Sequence, residues 1–113
     1  MHEMSLAENM LELVIETARR EQAQRVRRII LDIGTLAAVE ADALSFCFDA
    51  VARGTVAEGA ILEIIVIDAA GHCQDCGEGQ AIAAFGEACR RCGSYRLEAT
   101  TGTGMQVREI DIV

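Results

Sequence analysis

Residues 71–95 read GHCQDCGEGQAIAAFGEACRRCGSY, and this stretch decides how the chain divides. It holds Cys73-x2-Cys76, twelve intervening residues, and Cys89-x2-Cys92. Two residues between cysteines let both sulfurs face one ion while the backbone turns around it. Gly77 and Gly93 directly follow the pairs, where a tight knuckle needs a residue that tolerates positive φ. Four thiolates suit tetrahedral Zn(II) and leave no open position, which makes such a site structural rather than catalytic. An insert of about thirty residues is too small to hold itself together by apolar burial. Structural zinc contributes roughly 10–16 kcal/mol of apparent binding free energy at neutral pH. Arg90 and Arg91, inside the second pair, are placed to offset part of the net −2 that four thiolates and one dication carry. The same spacing also serves redox dithiols and iron–sulfur clusters. His72, immediately before Cys73, is either a neighbour that senses pH or joins the metal, or a half-exposed residue beside the knuckle.

Outward from this segment the chain changes character. Residues 70–104 are rich in Gly and Cys and lack long apolar runs, so they read as a small insert in an α/β body made of residues 1–69 and 105–113. The 113 residues are enough for one main core. No stretch reaches the roughly 20 apolar residues of a membrane span, and no signal peptide opens the chain. A cytoplasmic protein is expected. Ten basic against eighteen acidic residues give a net charge of −8, which disfavours nucleic-acid phosphate as a partner. Only Arg25, Arg27 and Arg28 form a basic patch. The fifth cysteine, Cys47, sits in a helical apolar stripe and reads as core packing.

In the body, Ser5 with Glu8 resembles a capping box, and Leu6, Met10, Leu13, Val14 and Ala18 recur at helical spacing over residues 6–21. Residues 25–33 read as a strand, with Ile29, Leu31 and Ile33 on one face and Gly34 ending it. A second helix begins near Glu40 or Asp42, carries Leu44, Cys47, Phe48 and Val51 inward, and ends before Gly54. ILEIIVID (61–68) is apolar on nearly both faces, which predicts a central strand. MQVREIDIV (105–113) switches its apolar parity between Val107 and Ile110, as a bulge would. TGTG (101–104) reads as a turn, not a nucleotide loop. The class expected is α+β: a small mixed three-stranded sheet with two helices, plus an inserted treble-turn, zinc-ribbon-like knuckle domain.

The amino end poses a separate question, because MHEMS places a histidine and a carboxylate where most chains carry a tail. The Met1 amine, the backbone nitrogen of His2 and the His2 imidazole can close fused chelate rings around one ion. The Glu3 backbone nitrogen completes a square plane. Nitrogen-rich square-planar coordination suits Ni(II) or Cu(II). The ligands must lose protons to bind, so affinity should fall as pH drops towards and below about 6.5.

MHEMSLAENM, with IGTLAAVEADAL (33–44), VARGTVAEGA (51–60) and the two CxxC pairs, resembles the HypA/HybF family of hydrogenase nickel-incorporation accessory proteins along the whole chain. The resemblance implies a nickel metallochaperone, not an enzyme, with Ni(II) as cargo and Zn(II) as a structural ion. It places nickel at Met1, His2 and Glu3, with Glu40 as a further acidic position, and zinc at Cys73, Cys76, Cys89 and Cys92. It implies the GTPase accessory protein HypB and the large subunit of NiFe-hydrogenase as partners, neither nucleic acid nor membrane, and urease as a second client in some relatives. Relatives often carry proline after the acidic position, where this chain has Ala41. The Glu40 carboxylate is thus a ligand or a helix N-cap. The rival readings are a zinc-ribbon module for protein or nucleic acid, and a thiol oxidoreductase.

Overall fold

The computed structural model describes residues 2–113. Its elements run α1 (His2–Arg20), β1 (Val26–Gly34), α2 (Ala41–Ala52), β2 (Ile61–Ile67), β3 (Ala70–Cys73), β4 (Gly79–Ala81), β5 (Leu97–Thr101) and β6 (Met105–Ile112). Two three-stranded sheets form, in the orders β2-β1-β6 and β4-β3-β5. The chain divides into two compact units. One holds Met1–Leu31, Val39–Ile65 and Val107–Val113; the other holds Asp32–Ala38 and Val66–Gln106.

In the first unit, α1 begins ahead of the expected start. Ser5 lies inside the helix and is exposed, so it is not the cap. An acidic side chain in the first turn favours this longer helix by opposing its dipole, and Glu3 stands there. The buried stripe is Ala7, Met10, Leu11, Val14 and Ala18. Leu13, expected inside, is 47% exposed, and Leu11 takes its place. Both leucines satisfy a 3.6-residue period; which one turns inward depends on where α2 packs. Helix α2 follows the sequence closely. Glu40 is its N-cap, Leu44, Cys47, Phe48 and Ala52 are buried, and Gly54 follows the C-cap with φ +77°. Alternation in β1 buries Ile29, Leu31 and Ile33 on one face, and Val26 is buried outside that parity. Each large apolar side chain so enclosed contributes roughly 1.5–3 kcal/mol of transfer free energy.

Strand pairing corrects two expectations. The central strand of the first sheet is β1, and β2 lies at an edge. Ile61 and Val66 of β2 are 66% and 62% exposed. Neighbouring strands joined through a helix, as β1 and β2 are through α2, carry apolar runs whichever of them is central. Strand order is therefore not legible in such a run. In β6, Val113 pairs with Arg25 through its N–H (3.0 Å) and Gly104 pairs with Gly34 (2.9 Å). The separation is the same on both strands, from 25 to 34 and from 104 to 113, so no net extra residue is inserted. The parity change instead reflects Arg108 and Glu109, both exposed, while Ile110 to Ile112 are half-buried.

The second unit has a sparse core of Ile33, Ala69, Cys73, Ile82 and Cys89. Its sheet is antiparallel throughout, with Gly71 opposite Gln80 on β4 and opposite Ala99 on β5. A Cβ on Gly71 would lie 2.0 Å from the Glu98 carbonyl oxygen, so glycine is what lets β3 and β5 close. The segment 101–104 is a turn whose backbone crosses other chain directly. The Leu36 N–H donates to the Gly102 carbonyl (2.9 Å) and the Gly34 N–H to that of Gly104. A Cβ on Gly102 would meet the Ala69 Cα at 2.4 Å.

Candidate metal centre

The two CxxC segments fold into near-identical knuckles. In the first, the Cys73 N–H donates to the Glu78 carbonyl (2.9 Å) and the Gly77 N–H to the Cys73 carbonyl (2.8 Å). In the second, the Cys89 N–H donates to the Ser94 carbonyl (2.8 Å) and the Gly93 N–H to the Cys89 carbonyl (2.9 Å). Gly77 and Gly93 take φ of +78° and +77°, the left-handed turn that a side chain resists. Each knuckle therefore aims its two sulfurs the same way.

Among the described residues these four cysteines form the one cluster able to hold a metal, their Sγ atoms all lying within 4.8 Å of one another. Cys73 and Cys92 Sγ are 3.6 Å apart, and Cys76 and Cys89 Sγ are 3.7 Å apart. Metal–sulfur bonds of about 2.3 Å in a tetrahedron place the sulfurs about 3.8 Å apart, whereas a disulfide needs about 2.05 Å. The spacing fits four thiolates around one ion, and all four cysteines are free thiols. Peptide N–H groups are directed at the sulfurs, as that of Asp75 is at Cys73 Sγ (3.4 Å).

Proton affinities divide across the set. Cys73 is pulled down to about 6, first by the Cys76 N–H and also by the Asp75 N–H and neighbouring thiols, against the cost of burial. Cys89 is also lowered, chiefly by the Cys92 N–H. At Cys92 the Ser94 N–H favours the thiolate, but the Cys73 sulfur, burial and the other two sulfurs outweigh it and push the group up to about 12. At Cys76 the Glu78 N–H favours the thiolate, but burial and the Cys89 and Cys73 sulfurs outweigh it and raise the group. Four negative sulfurs cannot share this volume without a cation, which is what a dication supplies.

The surroundings differ from expectation. Arg91 pairs with Glu78 (3.2 Å), and the Arg90 guanidinium donates to the Ala81 carbonyl (3.2 Å), so neither charge is directed at the sulfurs. Contacts not read from the sequence join the knuckles. Asp75 of the first accepts from Ser94 Oγ and from Arg96 (2.6 Å), just beyond the second. Gln80 Oε1 accepts the Arg90 N–H (2.9 Å) and ties β4 to the second knuckle. Short polar residues scattered over twenty positions carry no periodic signal. His72 is exposed; its Nε2 lies 3.1 Å from Gln74 Nε2, and Gln74 donates to Glu98. Cys47 is buried in α2, in the first unit.

At the amino end, Met1 lies outside the described residues. His2 is exposed, and its Nδ1 lies 3.8 Å from Glu3 Oε2. That same Oε2 accepts the Glu40 N–H at 3.2 Å, which holds the Glu3 carboxyl below its ordinary range. The Glu40 carboxylate accepts the N–H groups of Asp42 (3.3 Å) and Ala43 (2.5 Å). Of its two sequence readings, the structure displays the N-cap. The starts of α1 and α2 thus meet, through contacts between residues 37 apart.

A family model described as hydrogenase/urease nickel incorporation, metallochaperone, hypA, matches residues 1–112. Similar curated proteins include the hydrogenase maturation factor HypA of Dechloromonas aromatica (strain RCB), 51% identical over 112 residues and 99% of both chains. That of Rhizobium leguminosarum bv. viciae is 45% identical over all of both chains. Among solved structures, a solution structure of HypA protein aligns with a TM-score of 0.76 and 26% identity, covering 100% of this chain and 97% of its own. The nickel metallochaperone HypA of Helicobacter pylori aligns with a TM-score of 0.73 and 24% identity, over 98% of this chain and 97% of its own, a likeness of fold. No helix among the described residues is long and apolar enough to cross a membrane. With its α+β fold and its four clustered cysteines, the chain belongs to the HypA family of hydrogenase/urease nickel-incorporation metallochaperones.

Proposed function

We propose that the protein is a non-enzymatic nickel carrier of the cytoplasm, with Ni(II) as cargo at its amino terminus and Zn(II) held by Cys73, Cys76, Cys89 and Cys92. The observation that carries the reading is a family match that begins at residue 1 and so includes Met1, His2 and Glu3. The free Met1 amine, the His2 and Glu3 backbone nitrogens and His2 Nδ1 form a square-planar set suited to Ni(II). Backbone N–H groups in a helix's first turn have no partner within the helix, so the His2 and Glu3 nitrogens are not already committed there. The imidazole is open to solvent, as handing cargo to an acceptor requires. Glu40 is the further acidic group of the site, and its carboxylate can reach a metal only by leaving the α2 cap.

The four thiolates hold zinc. When bound, the ion supplies the positive charge that lets all four sulfurs ionise, and it staples a unit whose apolar core is small. The cargo goes to the large subunit of NiFe-hydrogenase, with the GTPase HypB as accessory partner, and urease is a second client. Neither nucleic acid nor membrane is a partner.

The test is metal analysis and nickel calorimetry on untagged protein. His2→Ala should abolish specific Ni(II) binding with zinc content and far-UV circular dichroism intact. One residue added ahead of Met1 should weaken binding nearly as much, because it moves the amine out of the chelate. Unchanged nickel affinity in both variants would leave only the zinc-ribbon interaction module.

A further inference from the structure

The four sulfurs are not equally enclosed. Cys73 and Cys89 are buried, Cys76 is half-buried and Cys92 is exposed. Cys92 Sγ lies 3.6 Å from Cys73 Sγ, so an open sulfur stands beside a closed one. Each of these two cysteines is followed, two residues on, by a polar residue whose N–H serves it. The Asp75 N–H is directed at Cys73 Sγ (3.4 Å), and the Ser94 N–H at Cys92. The side chains of the same two residues bind each other, Ser94 Oγ donating to Asp75 Oδ2. Arg96 completes the link: its guanidinium donates to Asp75 Oδ1 (2.6 Å), its N–H to Ser94 Oγ (3.0 Å), and its carbonyl accepts the Gln74 N–H (2.9 Å). An exposed ion pair by itself contributes little. Here the carboxylate also takes a hydroxyl, and both partners hold sulfurs through their own backbones.

We propose that Asp75 is a positioning residue of the metal centre: by binding Ser94 and Arg96, its carboxylate holds the Cys92 sulfur against Cys73 and closes the exposed side of the site to competing ligands. This rests on the zinc reading of the four thiolates. A competitor strips a four-thiolate site one sulfur at a time, and the exposed sulfur is the first within its reach. With Asp75 on Ser94, a displaced Cys92 thiolate stays at high effective concentration and rebinds before the competitor takes its place. Removal of partners behind metal ligands typically weakens affinity by about 10–100-fold. Asp75 thereby keeps the resident ion apart from an ion that is carried and handed on.

The experiment follows zinc transfer from the zinc-loaded, full-length chain to a chromophoric chelator, and maps iodoacetamide alkylation by mass spectrometry. Asp75→Ala should release zinc about tenfold faster or more, with Cys92 alkylated ahead of the other three ligands. Its cobalt-loaded form should keep the d–d bands of a tetrahedral four-sulfur set, because no ligand is removed. Asp75→Asn keeps an oxygen for Arg96 and an amide for Ser94 Oγ, and should recover most of the retention. Glu78→Ala breaks the Arg91–Glu78 pair (3.2 Å), which also joins the two knuckles, and should leave release at the wild-type rate. Wild-type release from Asp75→Ala overturns the proposal. Equal acceleration in Glu78→Ala does so too, since any surface pair would then suffice. Altered cobalt bands, or alkylation spread evenly over the four cysteines, would show that the unit unfolds instead of opening at Cys92, and failure of Asp75→Asn to slow release would remove the bridging role. A wild-type chain that takes up no zinc sinks the underlying zinc reading, whatever Asp75 does.

Discussion

At the scale of single residues, two glycines with the same φ should respond differently to alanine. Gly54 and Gly102 both lie at +77°. Around Gly54 a Cβ meets nothing within 4 Å, so Gly54→Ala should cost only about 1 kcal/mol, the strain of the left-handed backbone. At Gly102 the same Cβ meets the Ala69 backbone at 2.4 Å, and neighbouring chain must move. Gly102→Ala should cost about 2–4 kcal/mol, read from the urea midpoint of the zinc-loaded protein; equal effects at the two sites would show that the crossing relaxes freely. The cysteine set predicts a pH dependence. Cys73 is held down and Cys92 pushed up, so the four sulfurs do not all ionise until an ion joins them. Protons and zinc compete for the same sulfurs, so zinc affinity should fall as pH drops, measured by competition with a chelator of known affinity at several pH values. An affinity independent of pH would show that the sulfurs are already thiolates before the ion binds.

At the scale of elements, the two helices are held by different devices. Leu11 is buried and Leu13 is not, so Leu11→Ala should cost about 2–4 kcal/mol and Leu13→Ala less than about 1, by denaturant unfolding. Equal costs would put the stripe back on the face expected from the sequence. For α2, Glu40→Ala removes the acceptor for two N–H groups and should cost about 1 kcal/mol, with Glu40→Ser largely restoring it. The existence of both helices, the alternation of β1 and the Gly54 stop were all legible, because apolar periodicity and punctuating glycine are local signals. The start of α1, the edge position of β2 and the three short strands of the second unit were not. Strands of four, three and five residues hold no measurable period, and an apolar run does not say which neighbour will flank it.

At the scale of the molecule, the two units rest on different sources of stability. The first encloses Phe48, Ile29, Leu31, Leu44, Val14 and Val26 completely. The second encloses few large apolar groups, and two of its most buried residues are Cys73 and Cys89. Chelation of zinc, or Cys73→Ser, should therefore abolish amide protection around residues 73–97 while the helical circular-dichroism signal of α1 and α2 persists; simultaneous loss of both would mean that the units unfold as one. What the sequence alone settled is the clustering of four thiols. Two residues between thiols and a glycine after each pair specify a knuckle through bond lengths and local sterics alone, and the chelate proposed for Met-His-Glu is likewise read without reference to distant chain. Only the tertiary structure decided what those groups face. That Glu40 caps α2, that Glu3 reaches across to it, that Asp75 binds Ser94 and Arg96, and that Arg90 and Arg91 turn away from the sulfurs all depend on contacts between residues far apart in the chain. Such contacts are selected by how apolar faces pack, and hydrogen-bonding groups then pair with whatever that packing brings within about 3 Å.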